Sequence, residues 1–154
     1  MASRFKRACA LYSSVVRDLY RYHSSMRGYG YVAVPVGPVM LSDMMRAYLR
    51  CVHSREPYPV LAGYSEATVF DSAATNHMFR YLHDHEHIDR RMGISTAEEV
   101  ILGEQWAKRV AWVANDEDVY TIARLDTVGQ TMYYAEHGVF PANQREWVRE
   151  QFEG

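Results

Sequence analysis

Residues 78–114 read MFRYLHDHEHIDRRMGISTAEEVILGEQWAKRVAWVA, and the punctuation of this stretch decides the fold. Gly93 suits the C′ position that ends a helix, because glycine takes left-handed backbone without a Cβ penalty. Two residues later Ser95 and Glu98 form a capping box, S-T-A-E, which opens another helix. The stretch predicts one helix over residues 72–92 and a second from the Ser95 cap to about Ala114.

The flanks extend the same pattern. Leu11, Val15, Leu19 and Tyr22 recur at helical spacing before a Ser- and Gly-containing break at residues 24–30. YGYVAVPVGPVM (29–40) is β-branched and interrupted by proline, so it reads as a short edge strand or extended crossing. LSDMMRAYLRCVHS (41–54) predicts a helix capped by Ser42 or Asp43. REPYPVLAGYSEATVF (55–70) is irregular and pairs, on this reading, with the earlier extended segment. Asn115 or Asp116 caps a helix ending at Gly138, and Pro141 fits the first turn of a terminal one. The expectation is a mainly α fold. It is a single-domain helical bundle of about six helices over residues 1–154, with at most a small two-stranded β element.

The chain has 154 residues, 48% of them hydrophobic and 23% charged. That length buries roughly two-thirds of the unfolded surface without a disulfide or structural metal, so a bound metal would serve function. The net charge of -2 argues against general coating of nucleic acid. Residues 1–31 nevertheless form a basic helix or arm, with Arg4, Lys6, Arg7, Arg17, Arg21 and Arg27 against Asp18. Such an arm fits phosphates or an acidic partner, or a solvated helix face. Cys9 and Cys51 have neither CxxC nor secreted-scaffold spacing, which points to a reducing compartment. Without a signal-peptide core or a run of about 18 apolar residues, the expected location is cytoplasmic, with no membrane partner.

Candidate chemistry follows from helix geometry, at about 100° per residue. His85 falls in the apolar stripe of Ala74, Met78, Tyr81, Ile88 and Met92, where a hydrogen-bonded core residue is expected. Arg80, His83, Asp84 and His87 occupy another sector. His83 and His87, at i and i+4, are spaced to grip one ion. Glu104 interrupts the stripe of Val100, Ala107 and Ala111, and an unpaired buried carboxylate demands a partner such as Arg80, a histidine or a metal. In the following helix a core stripe turns polar through Asp126, Gln130, Tyr133 and His137, as if entering a polar cavity.

These residues suggest a divalent metal (Zn, Fe or Mn) held by His83, His87 and Glu104. Asp84 or Asp126 would orient an imidazole or act as base, and Arg80 would hold an anionic group. The expected reaction is metal-dependent hydrolysis of a phosphorylated or nucleotide-like substrate. The rival expectation is a non-catalytic structural or interaction protein, in keeping with 12 Tyr and 3 Trp. Its partner would be another protein, or a second copy in a homo-oligomer.

Three resemblances attach to these residues. H-D-H-E-H (83–87) resembles the H-E-x-x-H zinc-peptidase motif, with Asp84 where the general-base glutamate stands. YLHDHEH (81–87) resembles the His-Asp pair of HD-type phosphohydrolases, for which His53 and Asp118 or Asp126 would be the outlying members. The broadest likeness covers the second half of the chain. Phe79, Arg80, His83, Asp84 and His87, a glutamate among Glu98, Glu99 and Glu104, then Gln130, Tyr134, His137, Phe140, Asn143 and Gln144 are similar to a family of uncharacterised bacteriophage and bacterial proteins. That family shares an F-R-x-x-H-D-x-x-H segment and a Gln-Tyr-Tyr/Asn-Gln C-terminal region. The likeness implies phage origin and no particular reaction. With that origin it implies a location in the host-cell cytoplasm or association with the virion and, for the non-catalytic reading, a virion or host-factor-interaction role with a phage or host protein as partner.

Overall fold

The computed structural model describes residues 1–154 as six helices and two short strands. In chain order these are α1 (Arg4–Arg27), β1 (Tyr31–Val34), α2 (Leu41–Ser54), β2 (Tyr58–Leu61), α3 (Ala73–Arg90) and α4 (Thr96–Ala114). α5 runs through Glu117–Arg124, a π-helical segment Leu125–Gly129, and Gln130–His137; α6 is Gln144–Glu153. The expected mainly helical chain with a small two-stranded element is what forms. No helix is long and apolar enough to cross a membrane.

The caps explain most helix ends. Ser72 accepts from Thr75 N at 3.1 Å to open α3, and Ser95 accepts from Glu98 N at 3.3 Å to open α4. Asp116 accepts from Asp118 N and Val119 N at 2.9 and 3.1 Å to start α5. Gly138, at φ 74°, ends it in the left-handed region. Three details differ from the sequence reading. α3 closes on Arg91, at φ 53°, and not on Gly93. α2 is capped at Met40, whose N–H donates to the Asp43 carboxylate at 3.3 Å, so Asp43 sits inside the first turn. α6 starts after Asn143, which accepts from Glu146 N at 2.9 Å, leaving Pro141 ahead of the helix.

The chain packs as two compact units, each assembled from separated segments. The first comprises Met1–Val15, Glu66–Asp71 and Ser95–Gly154. α4 and α5 make its main layer, with Leu102, Trp106, Val110, Val119 and Ile122 buried. The indole Nε1 of Trp106 donates to the Tyr12 hydroxyl at 2.7 Å, and the Tyr12 ring lies 5.0 Å from Phe70. Arg4 and Arg7 bind Asp118, and Arg7 also binds Asp116, all at 2.5–2.9 Å.

The second unit comprises Val16–Ser65 and Ser72–Ile94. β1 and β2 pair in parallel, with Tyr31 opposite Tyr58 and Val34 opposite Leu61. Parallel pairing needs a long crossover, and α2 supplies it. α3 packs on α2 and on both strands through an aromatic core: Tyr58 and Tyr81 are fully buried and Tyr29 nearly so. Much of the tyrosine content thus serves packing. Arg27 pairs with Asp89 at 2.6 Å and Arg17 donates to Thr75 Oγ1 at 3.4 Å. The basic stretch read from residues 1–31 therefore spends Arg4, Arg7, Arg17 and Arg27 on contacts within the two units.

Candidate metal site

α3 is an 18-residue helix whose buried face carries Tyr81, Leu82, His85 and Ile88, as helical spacing dictates, but also His87. His87 is 1% exposed, and its neighbour one turn back, His83, is half-buried. The two imidazoles stand edge to face, with centroids 4.7 Å apart and planes at 89°. Their Nε2 atoms are 3.1 Å apart. In the ion-free chain this is a hydrogen bond between the rings. Two nitrogens bound at about 2.0–2.1 Å to one tetrahedral ion lie about 3.3 Å apart, so the pair could also hold a single divalent ion with little movement.

The outer contacts hold this geometry. His87 Nδ1 lies 2.8 Å from the Met92 carbonyl, which can only accept. The neutral ring therefore carries its proton on Nδ1 and turns the Nε2 lone pair toward His83, whose Nε2–H donates to it in the ion-free chain. A proton on Nδ1 is also the arrangement found in metal-binding histidines. Phe79, four residues before His83, stacks on that ring at 5.6 Å and 18°.

Asp84 follows His83 in the same turn and accepts from the Tyr58 hydroxyl at 2.8 Å. Tyr58 is fully buried, and burial first, then the Asp84 carboxylate, drives its pKa far upward, so it stays a hydrogen-bond donor. Arg80 does not present an anion-binding face. Its guanidinium donates to the carbonyls of Leu61, Gly63 (2.7 Å) and Tyr64 (3.3 Å), clamping the end of β2 and the turn behind it. Desolvation there lowers its pKa, against the pull of Asp84.

No family model, curated protein or solved structure matches this chain. The site is therefore defined by its own chemistry.

The other sequence-selected residues take different positions. Glu104 is not a buried carboxylate in want of a ligand. Its side chain is 30% exposed, accepts from the Tyr120 hydroxyl, and pairs with Arg124 Nε at 2.8 Å. Tyr120 first, and then Arg124, hold its carboxyl below the usual range. Asp126 lies in the π segment of α5 and accepts from Gln130 Nε2 at 2.9 Å. Gln130 is buried, but the stripe beyond it surfaces: Tyr133 is half-buried between His137 (4.2 Å) and Trp147 (5.7 Å), and His137 is exposed. His53 is exposed at the end of α2, and Asp118 is committed to Arg4 and Arg7.

His85 is the hydrogen-bonded core residue the pattern implied. It is 3% exposed, with Nδ1 2.7 Å from the Tyr81 carbonyl and Nε2 2.9 Å from the Tyr29 hydroxyl. The sequence did not signal the Met92 carbonyl as a partner of His87, because a backbone group carries no residue type. Tyr58 was equally hidden, since its meeting with Asp84 depends on strand register.

Proposed function

We propose that this protein binds one divalent transition ion through His83 and His87 and uses it in a hydrolytic reaction. The observation that carries the reading is the convergence of the two Nε2 atoms at 3.1 Å with His87 fixed in the ligating tautomer by Met92. An ion held there supplies Lewis acidity toward a carbonyl or phosphoryl oxygen and acidifies water. Asp84, kept in place by Tyr58, is the proton acceptor of this proposal. The assignment of a phosphorylated or nucleotide-like substrate loses Arg80 as its anion holder, so substrate class is left to direct screening. The likeness to phage and bacterial proteins belongs to this proposal as a statement of origin.

Elemental analysis of the wild-type protein and the His83→Ala/His87→Ala double variant, both expressed with metal supplied, tests it. Near-stoichiometric Zn, Fe or Mn in the wild type, lost from a variant with unchanged circular dichroism, is the expected result. Replacing acidic residues singly then locates a carboxylate ligand by its effect on metal content. Absence of metal from both proteins refutes the reading.

A second reading, a non-catalytic interaction protein, is supported by Trp112. Its side chain on α4 is 85% exposed beside a shallow groove lined by Lys108, Ala111 and Tyr120. Exposed tryptophans are common anchors of protein interfaces. Retention of a phage or host partner that Trp112→Ala abolishes, together with a metal-free protein, would favour it.

A further inference from the structure

We propose that the left-handed cap ending α3 is a positioning device for His87, with Arg91 as the positioning residue. This deepens the metal-site reading and rests on it for its purpose, while its geometry is testable without metal. Arg91 takes φ 53° and ψ 43°, the conformation that glycine usually supplies at a helix end. The turn reverses the chain so that Met92 N donates to the His87 carbonyl at 3.1 Å. The same reversal lays the Met92 carbonyl against His87 Nδ1 at 2.8 Å. One residue of unusual backbone thus ties both the main chain and the ring of His87.

The consequence is chemical. An imidazole bonded to a carbonyl at Nδ1 keeps its proton there, so Nε2 is the unprotonated nitrogen before any ion arrives. A free imidazole exchanges between tautomers and must lose the wrong one on binding. Arg91 touches no ligating atom: it acts through the Met92 carbonyl. A residue branched at Cβ, which resists positive φ more strongly than arginine does, moves that carbonyl away and releases the ring, whereas glycine keeps the turn.

The experiment uses the full chain labelled with ¹⁵N-histidine and compares wild type, Arg91→Gly and Arg91→Val. Long-range ¹H–¹⁵N spectra of the metal-free proteins report which nitrogen of His87 is protonated, and competition titration with Zn²⁺ alone reports affinity. Wild type and Arg91→Gly are expected to show the Nδ1–H form. Arg91→Val is expected to show a detectable share of the Nε2–H form and a Zn²⁺ affinity lower by roughly 10- to 100-fold, the usual effect of removing a ligand's outer partner. Should Arg91→Val fail to fold, Arg91→Thr, also branched at Cβ but polar at this exposed position, applies a bias of the same kind.

An Nε2–H form in the wild type, or an unchanged Nδ1–H form in a folded Arg91→Val or Arg91→Thr, overturns the proposal. If the tautomer shifts as expected but none of the proteins takes Zn²⁺, the cap does position the ring, and it is the ligand reading of His83 and His87 that fails.

Discussion

His83, His85 and His87 alternate along one helix, yet the structure gives them different work. Helical spacing separated His85 from the other two, and the same spacing put His83 beside His87; both were legible because they depend only on a 3.6-residue period. The fate of Glu104 was not legible. Whether a carboxylate in a small-residue stripe faces core or solvent depends on where the neighbouring helix lies, and Arg124 and Tyr120 reach it from α5. His85 allows a prediction at this scale. Burial, opposed by its bond to the Tyr81 carbonyl, lowers its pKa from 6.5 to about 4. Above pH 6.5 the ring is neutral in folded and unfolded chains alike, and its contribution to stability is complete. As pH falls from 6.5 to 4 the unfolded chain takes up a proton that the folded chain refuses, so stability is lost across that window, by roughly 3 kcal/mol at most. Urea midpoints between pH 7 and 4 should fall in the wild type and fall less steeply in His85→Gln; parallel slopes would show that the ring is not the titrating group.

At the scale of elements, α4 and α5 were read correctly in extent, but their packing was not. Gly103 sits inside α4, where glycine costs about 1 kcal/mol relative to alanine. The reason lies in α5. A Cβ on Gly103 would come within 2.9 Å of Thr127 Oγ1 and Val128 Cγ2, both in the π segment. The Thr127 hydroxyl also approaches the Gly103 carbonyl at 3.4 Å and donates to the Ala123 carbonyl at 2.7 Å. The widened π turn and the missing side chain are thus two halves of one close approach, and no periodicity in either helix alone announces it. Gly103→Ala should improve helix propensity and still destabilise the protein, by roughly 1–2 kcal/mol, because overpacking outweighs propensity. Denaturant unfolding decides the sign. A more stable variant would mean that the π segment relaxes at little cost.

For the whole molecule, the sequence offered no linker, and the two compact units show why: the chain passes between them several times, so no boundary lies at one position. The first unit illustrates what this implies. Its largest continuous piece, residues 95–154, holds α4, α5 and α6 but not the apolar side chains that cover them. Phe5, Ala8, Cys9, Tyr12, Val69 and Phe70 come from the two earlier segments and are all at most 5% exposed. Burying the larger of these stabilises by roughly 1.5–3 kcal/mol each, so together they approach the 5–15 kcal/mol that holds a typical domain folded. Polar ties run the same way: Trp106 to Tyr12, Asp116 and Asp118 to Arg7, and the Arg145 N–H to the Ala67 carbonyl at 2.9 Å. A fragment of residues 95–154 should therefore retain helical tendency yet lack a cooperative thermal transition by circular dichroism. Adding a separate peptide of residues 1–15 should not restore it, because Val69 and Phe70 remain absent. A sharp transition in the fragment alone would show that α4, α5 and α6 form a self-sufficient core, with the earlier segments only decorating it.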